Sequence, residues 1–386
     1  MENYLNLNCF SQNKLTENIE LCNENSSNNS IFISGLCDSS TFDLSNQMWK
    51  QETLDSCISV LNPESQIQQV DSINAKIEIL NNKVIETPSY ASITTDNYEG
   101  KKTTGRKLIV QGVLCLTVNY IENSSSQPVN SFIGTIPFSS YIILPKKITN
   151  QDTLNLKFLV SSCLQEIHIN DVQSKHIYLS ATFTLLAEKM DNLCNSDPNN
   201  DCPNFNNNSC MTLDSPNILG ICPVEKIRNL LTSVPNPQLS VKYWNEVSVP
   251  EVLTISESKP DVEQLLSLAS DIEILCKKII KTPTLTTGPS FENKMILGKK
   301  LLIEAVLHQR ITYISKDDSN SIYSCNFNIP ISTYIILPNE TSLTDKFDLI
   351  ACIEDIYACV LNDRQIFKGV NIFFKATPNN CINAVV

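Results

Sequence analysis

Apolar and polar positions alternate through most of this chain with the two-residue period of β-strands. Over residues 108–120, one set of alternate positions holds Leu108, Val110, Gly112, Leu114, Leu116, Val118 and Tyr120, and the other holds Gln111, Cys115, Thr117 and Asn119. Such a segment has one core face and one wetter face. Residues 301–313 have the same arrangement, with Ile303, Ala305, Leu307 and Ile311 inward and Glu304, His308, Arg310 and Thr312 outward. Short apolar runs at 141–144 and 334–337 stop at Pro145 and Pro338, which lack the N–H needed to continue a ladder. Later strands are expected over 154–169, 176–187, 347–361 and 365–375, joined by turn-rich segments at 170–174 and 362–364. Residues 260–269 depart from the pattern, because Asp261 at a capping position before Val262-Glu263-Gln264-Leu265-Leu266 predicts a short helical turn.

The same series of elements occurs twice, about 195 residues apart. Trp49 recurs as Trp244, Ile77-Glu78-Ile79-Leu80 as Ile272-Glu273-Ile274-Leu275, and Thr87-Pro88 as Thr282-Pro283. Gly105-Arg106-Lys107-Leu108-Ile109-Val110 matches Gly298-Lys299-Lys300-Leu301-Leu302-Ile303, and Ile136-Pro137 through Leu144-Pro145 matches Ile329-Pro330 through Leu337-Pro338. Two copies of one domain follow. What recurs is packing and turn chemistry, so the duplicated unit reads as a contact module. Many short strands at this spacing predict an all-β chain of two tandem antiparallel β-sandwich domains.

The expected boundaries are an N-terminal arm at 1–46, a first repeat at 47–190, a Cys/Asn/Pro-rich linker at 191–239, a second repeat at 240–377 and a tail at 378–386. Arm and linker contain polar Asn- and Ser-rich runs that cannot build a core. Within the arm, Ile31, Phe32 and Ile33 can add one strand, either to a neighbouring molecule as an assembly strand or to the edge of their own repeat.

Several segments carry a family resemblance. They are Lys259-Pro260-Asp261-Val262-Glu263-Gln264-Leu265-Leu266-Ser267, Gly298 through Leu307 with Ile311-Thr312-Tyr313, Ile329-Pro330-Ile331, and Asn362-Asp363-Arg364. They resemble the SPOCS domain found in clostridial sporulation proteins, over roughly 47–190 and 240–377. In the first copy, Asn62-Pro63-Glu64-Ser65 stands where Lys-Pro-Asp is expected, and the LysM module that accompanies SPOCS domains in a spore-coat assembly factor is missing. The resemblance implies a β-rich, noncatalytic module of the spore envelope.

Fifteen cysteines change the picture further. Cys9, Cys22 and Cys37 lie in the arm, Cys194, Cys202, Cys210 and Cys222 in the linker, and Cys381 in the tail, where burial as ordinary apolar residues does not account for them. Cys115 lies on the wetter face of its strand. These nine are the candidate cross-linking cysteines. The spacings from Cys194 to Cys222 do not present paired thiolates to a zinc ion, and no metal or other cofactor is expected. Cysteine-rich chains without an export signal are unusual in a reducing cytosol. Assembly around a forespore inside the mother cell, followed by lysis and oxidation, accounts for one, and the resemblance implies a place in an outer spore layer of cysteine-rich, self-assembling proteins.

A net charge of −12 with 29 Lys and Arg argues against nucleic acid as a partner and against a basic membrane patch. The start lacks a signal-peptide pattern, and no apolar run approaches the length of a membrane span. Three histidines, His168, His176 and His308, stand beside no nucleophile elbow or paired carboxylate, and no phosphate-binding or dinucleotide motif occurs, so an enzyme is not expected. The expected protein self-associates in the spore's outer envelope, made in the mother-cell cytoplasm, placed on the spore surface and locked by disulfides. The alternative is a noncatalytic adaptor that recruits another coat or exosporium protein.

Overall fold

Two four-stranded sheets and two three-stranded sheets hold most of the residues described by the computed structural model, which covers 31–38, 48–60, 66–89, 95–145, 156–190, 216–231, 241–284, 295–317 and 320–379. The first repeat's large sheet has the order β1 (Phe32–Ser34), β3 (Ile67–Glu86), β6 (Arg106–Glu122), β7 (Val129–Ile143). Its small sheet has the order β2 (Trp49–Ser59), β9 (His176–Lys189), β8 (Phe158–Gln173). The second repeat reproduces both, with β10 (Asn217–Leu219), β12 (Val262–Thr284), β13 (Leu297–Ser315) and β14 (Ile322–Leu337) in the large sheet. Its small sheet is β11 (Trp244–Thr254), β16 (Gln365–Pro378) and β15 (Phe347–Asn362). A two-stranded hairpin, β4 (Thr95–Asp96) with β5 (Lys102–Thr103), and one helical segment, α1 (Val224–Asn229), complete the regular structure of the described residues. The chain is two tandem antiparallel-rich sandwiches, as the alternation predicts.

Each core lies between a large and a small sheet. Ile73, Leu114 and Val118 meet Ile177, Ala181 and Phe183 in the first repeat, where the Phe138 and Phe183 ring centroids are 4.8 Å apart. In the second, Leu268, Ile303 and Leu307 meet Ile366, Val370 and Ile372. A fully buried side chain of this kind stabilises by roughly 1.5–3 kcal/mol, which makes these stripes the main source of fold stability. Pro137 and Pro330 stand inside β7 and β14, the outermost strands of the large sheets, where a missing N–H costs no ladder bond.

The helical turn expected over 260–269 is instead the beginning of β12. Buried Val262, Leu265 and Leu268 are three apart, a spacing that imitates a helix face. It arises because register shifts between Val262 and Gln264 and between Leu265 and Ser267 each insert an extra residue into the strand. Ile67, Val70 and Ile73 of β3 show the same spacing for the same reason.

The segment containing Ile31, Phe32 and Ile33 is committed to its own repeat. Phe32–Ser34 forms β1, which pairs in parallel with β3 (Phe32 with Ser72, Ile33 with Ile73), and Ile31 and Ile33 pack on the first core. Asn217–Leu219 pairs with β12 in the same way. After each short strand the chain turns at a glycine, Gly35 at φ +89° and Gly220 at φ +103°, and crosses to the small sheet. There the Cys37 N–H donates to Leu164 O and the Cys222 N–H to Ile353 O, both at 2.8 Å. Disulfides Cys37–Cys163 and Cys222–Cys352 fasten the two crossings. Each sandwich is therefore strapped along the edge where β3 and β8, or β12 and β15, would otherwise expose backbone groups. The described part of the first repeat includes this strap, which lies upstream of the first residues that the longer repeats mark.

Candidate interaction surface

The two sandwiches dock through unlike faces. The outer face of the first repeat's large sheet lies against the outer face of the second repeat's small sheet, and β6 loses its alternation there: Lys107 through Leu114 are all buried. Across the contact, β16 is buried on both sides from Ile366 to Ala376. Lys107 forms the centre. Its Nζ lies 2.5 Å from Glu354 Oε2 and also contacts Glu246 Oε1, and the three side chains are essentially out of solvent. Thr87 Oγ1 donates to Glu354 Oε1 at 2.8 Å, and Lys83 Nζ pairs with Asp355 Oδ1 at 2.5 Å. Burial pushes the Lys107 ammonium below the ordinary lysine range, against the opposing pull of Glu354. It pushes the Asp355 carboxyl above its ordinary range, against the pull of Lys83.

Apolar and hairpin contacts extend this centre. Leu80 and Val113 pack on Cys359 and Phe367. The β4–β5 hairpin reaches into the second repeat: Asn97 Nδ2 donates to Trp244 O at 2.9 Å, Lys101 Nζ to Asn245 Oδ1 at 2.6 Å, and Tyr98 lies beside Tyr243. Arg228 of α1 binds Glu86 through two guanidinium nitrogens.

The counterparts of these faces are open over most of their area, with the Tyr334 hydroxyl at one corner taken by Glu99 of the β4–β5 hairpin. In β13 the alternation survives, with Lys300, Leu302 and Val306 half-buried and Glu304 exposed on the outward side, and Leu275 of β12 is 58% exposed. On the first repeat's small sheet, Tyr178, Ser180 and Thr182 are half-buried and Gln165, Glu166 and His168 are exposed. The two tryptophans diverge similarly. Trp244 is buried, stacked on Phe373 and covered by α1 side chains, whereas Trp49 is 43% exposed.

Of the candidate cross-linking cysteines, Cys9, Cys22, Cys194, Cys202, Cys210 and Cys381 lie outside the described residues. Cys37 and Cys222 correct the expectation, because their sulfurs are consumed within their own repeats. The pentads Ile33-Ser34-Gly35-Leu36-Cys37 and Ile218-Leu219-Gly220-Ile221-Cys222 hold the missed signal, at a shorter offset than the rest of the duplication. Cys115 is half-buried against the Cys359 and Phe367 cluster, so its neighbour is the other repeat. His308, 41% exposed, joins Asn328 and Glu273, and these two hydrogen bonds push its pKa up. Among the described residues, no His, Cys, Asp and Glu side chains group as a metal-binding set.

Part of the family resemblance, residues 259–262, Tyr313 and residues 362–364, converges at one end of the second sandwich, whereas Gly298 through Leu307 runs along β13 from its other end. Asp261 pairs with Arg364 at 2.7 Å, Tyr313 Oη donates to Pro260 O at 3.0 Å, and the Arg364 guanidinium donates to Ser256 O and Lys259 O. The Val262 N–H donates to Asp363 O at 2.7 Å. This is a structural clasp between the loop before β12 and the β15–β16 turn. A family model described as SipL, SPOCS domain matches residues 66–167 and 261–361, and the chain belongs to that family. No curated protein matches. A solved structure titled as a crystal structure of lipopolysaccharide binding protein aligns at 7% identity over 85% of this chain and 91% of that chain, with a TM-score of 0.11 that carries no argument for a shared fold.

Proposed function

We propose that this protein is a structural, self-associating component of the spore's outer envelope, in the exosporium, coat or a derived appendage, and that disulfides between molecules lock it after assembly. Membership of the SPOCS family supports a sporulation-related role. The observation that carries the rest is the docking of one repeat on the other: broad sheet faces, held by a buried ion cluster and an apolar patch, make this sandwich a contact module in its own chain. Catalysis and cofactor binding have no part in the proposal. The intramolecular disulfides use Cys37, Cys163, Cys222 and Cys352 for the fold, which leaves Cys9, Cys22, Cys194, Cys202, Cys210 and Cys381 as the cross-linking set.

Sedimentation of the purified full chain tests this proposal. Concentration-dependent assembly under reducing conditions, followed after oxidation by resistance to hot detergent that added reductant abolishes, is the expected result. Replacing the six cysteines by Ser should remove the resistance and spare the assembly. A chain that stays monomeric until another coat protein is added is an adaptor instead.

A further inference from the structure

We propose that the open outer face of the second repeat's large sheet docks on the open outer face of the first repeat's small sheet in a second copy of the chain, repeating between molecules the contact that joins the two repeats within one. The proposal rests on the self-association reading above and supplies its interface.

The argument is one of equivalent positions. Within the chain, the large-sheet face of repeat one covers the small-sheet face of repeat two; each of these faces has a counterpart of the same architecture that is left uncovered apart from the Tyr334 corner, where Glu99 of the β4–β5 hairpin binds. Lys278 occupies the place of Lys83, and Glu166 that of Asp355, so the 2.5 Å Lys83–Asp355 pair has an intermolecular equivalent in Lys278 and Glu166, both exposed. Leu275 and Val306 stand where Leu80 and Val113 pack, and Tyr178 stands where Phe367 receives them. Leu275 is 58% exposed and Val306 half-buried on this face, so both side chains remain available for a contact like that of Leu80 and Val113. Lys300 takes the place of Lys107 and lies 3.6 Å from the Tyr334 ring centroid, as Lys107 lies 4.8 Å from that of Tyr141.

One difference sets the strength of the contact. Glu246 and Glu354 are replaced by Gln51 and Gln165, whose side chains hydrogen-bond to each other at 2.9 Å. A lysine meeting two amides lacks the charge pairing that fixes Lys107, so the intermolecular contact is weaker and reversible where the intramolecular one is permanent. Because the two faces are unlike and lie on different repeats, the contact is heterologous. It generates a linear polymer unless its rotation closes a ring.

Two face-blocked variants test this. Leu275→Glu/Val306→Glu spoils the second-repeat face, and Gln165→Lys/Glu166→Lys spoils the first-repeat face; all four positions are outward, and circular dichroism should match the parent. Each variant alone should remain monomeric at concentrations where the parent polymerises. Mixed in equal amounts, they should form a dimer and nothing larger, since each supplies the one intact face the other lacks. In a second arm, Lys278→Glu should raise the concentration needed for assembly on the order of tenfold, and adding Glu166→Lys in the same chain should restore it. A parent that never assembles removes the self-association reading itself. A parent that assembles alongside variants that assemble equally well, a mixture that stays monomeric, or a charge swap that restores nothing overturns this interface and leaves self-association standing.

Discussion

Lys107 Nζ sits 2.5 Å from Glu354 Oε2 across the junction of the two repeats, with both side chains fully removed from solvent. Two buried carboxylates, Glu354 and Glu246, share that single ammonium as counter-charge, with Thr87 Oγ1 donating to Glu354 besides. Removing it strands both, and breaking a buried pair from one side costs about 3–5 kcal/mol. Lys107→Met should therefore lower the urea midpoint of the parent chain steeply, and Lys107→Met with Glu246→Gln and Glu354→Gln should recover much of the loss. Equal midpoints for the single variant and the parent would show that the junction does not depend on this cluster.

Gly220 is required twice over. Its φ of +103° is one that L side chains rarely adopt, and a Cβ there would stand 1.8 Å from Ser270 O. Gly220→Ala should destabilise the second repeat by more than the roughly 1 kcal/mol that separates Gly from Ala at compatible positions. Gly35→Ala should do the same in the first repeat, where Ala75 O is 1.9 Å away. Chemical denaturation of each variant measures both effects.

The straps close loops with sequence separations of 126 and 130 residues. Under oxidising conditions each bond should add about 2 to 4 kcal/mol. Cys163→Ser and Cys352→Ser should each lower stability by that amount, and reductant should lower the parent to the level of the double variant. Mass spectrometry under nonreducing conditions should recover the linked peptides Cys37 with Cys163 and Cys222 with Cys352.

Burial pushes Lys375 down to about 8, with its ammonium held against Leu230 O. Unfolded, it titrates near the ordinary lysine value of about 10.4. Below pH 8 both states carry the proton and the fold bears the full cost of the buried charge. Above it the fold releases the proton first, so this group makes stability rise with pH toward the unfolded value. Tyr243, Tyr313 and Tyr334, pushed up to about 12, act oppositely from about pH 10 upward, because the unfolded chain ionises them first. Lys375→Leu, which copies Leu186 of the first repeat, should flatten the rise between pH 8 and 10. An unchanged slope in urea midpoints at pH 7 and 9.5 would show that Lys375 does not titrate in this way.

The strands of both cores were legible because alternation and duplication marked them independently. Bulged starts were not, since Val262, Leu265 and Leu268 carry a helical spacing that only strand pairing explains. The docking of the repeats was hidden for a different reason. Gly105-Arg106-Lys107-Leu108 and Gly298-Lys299-Lys300-Leu301 are nearly the same text, yet Lys107 is wholly buried and Lys300 is not. Which lysine is covered depends on Glu246 and Glu354, far along the chain, and no local pattern carries that pairing. The strand of the first strap is readable at Ile31-Phe32-Ile33 as one of two alternatives, but its disulfide and the whole second strap are not, because three-residue strands have too little period to read.

Electron microscopy of the purified chain alone, at rising concentration, tests the account most directly. Ordered polymers built from stacked lobes of one size, formed without any other protein, are the predicted result. Monodisperse two-lobed particles at every concentration, before and after oxidation, would contradict it.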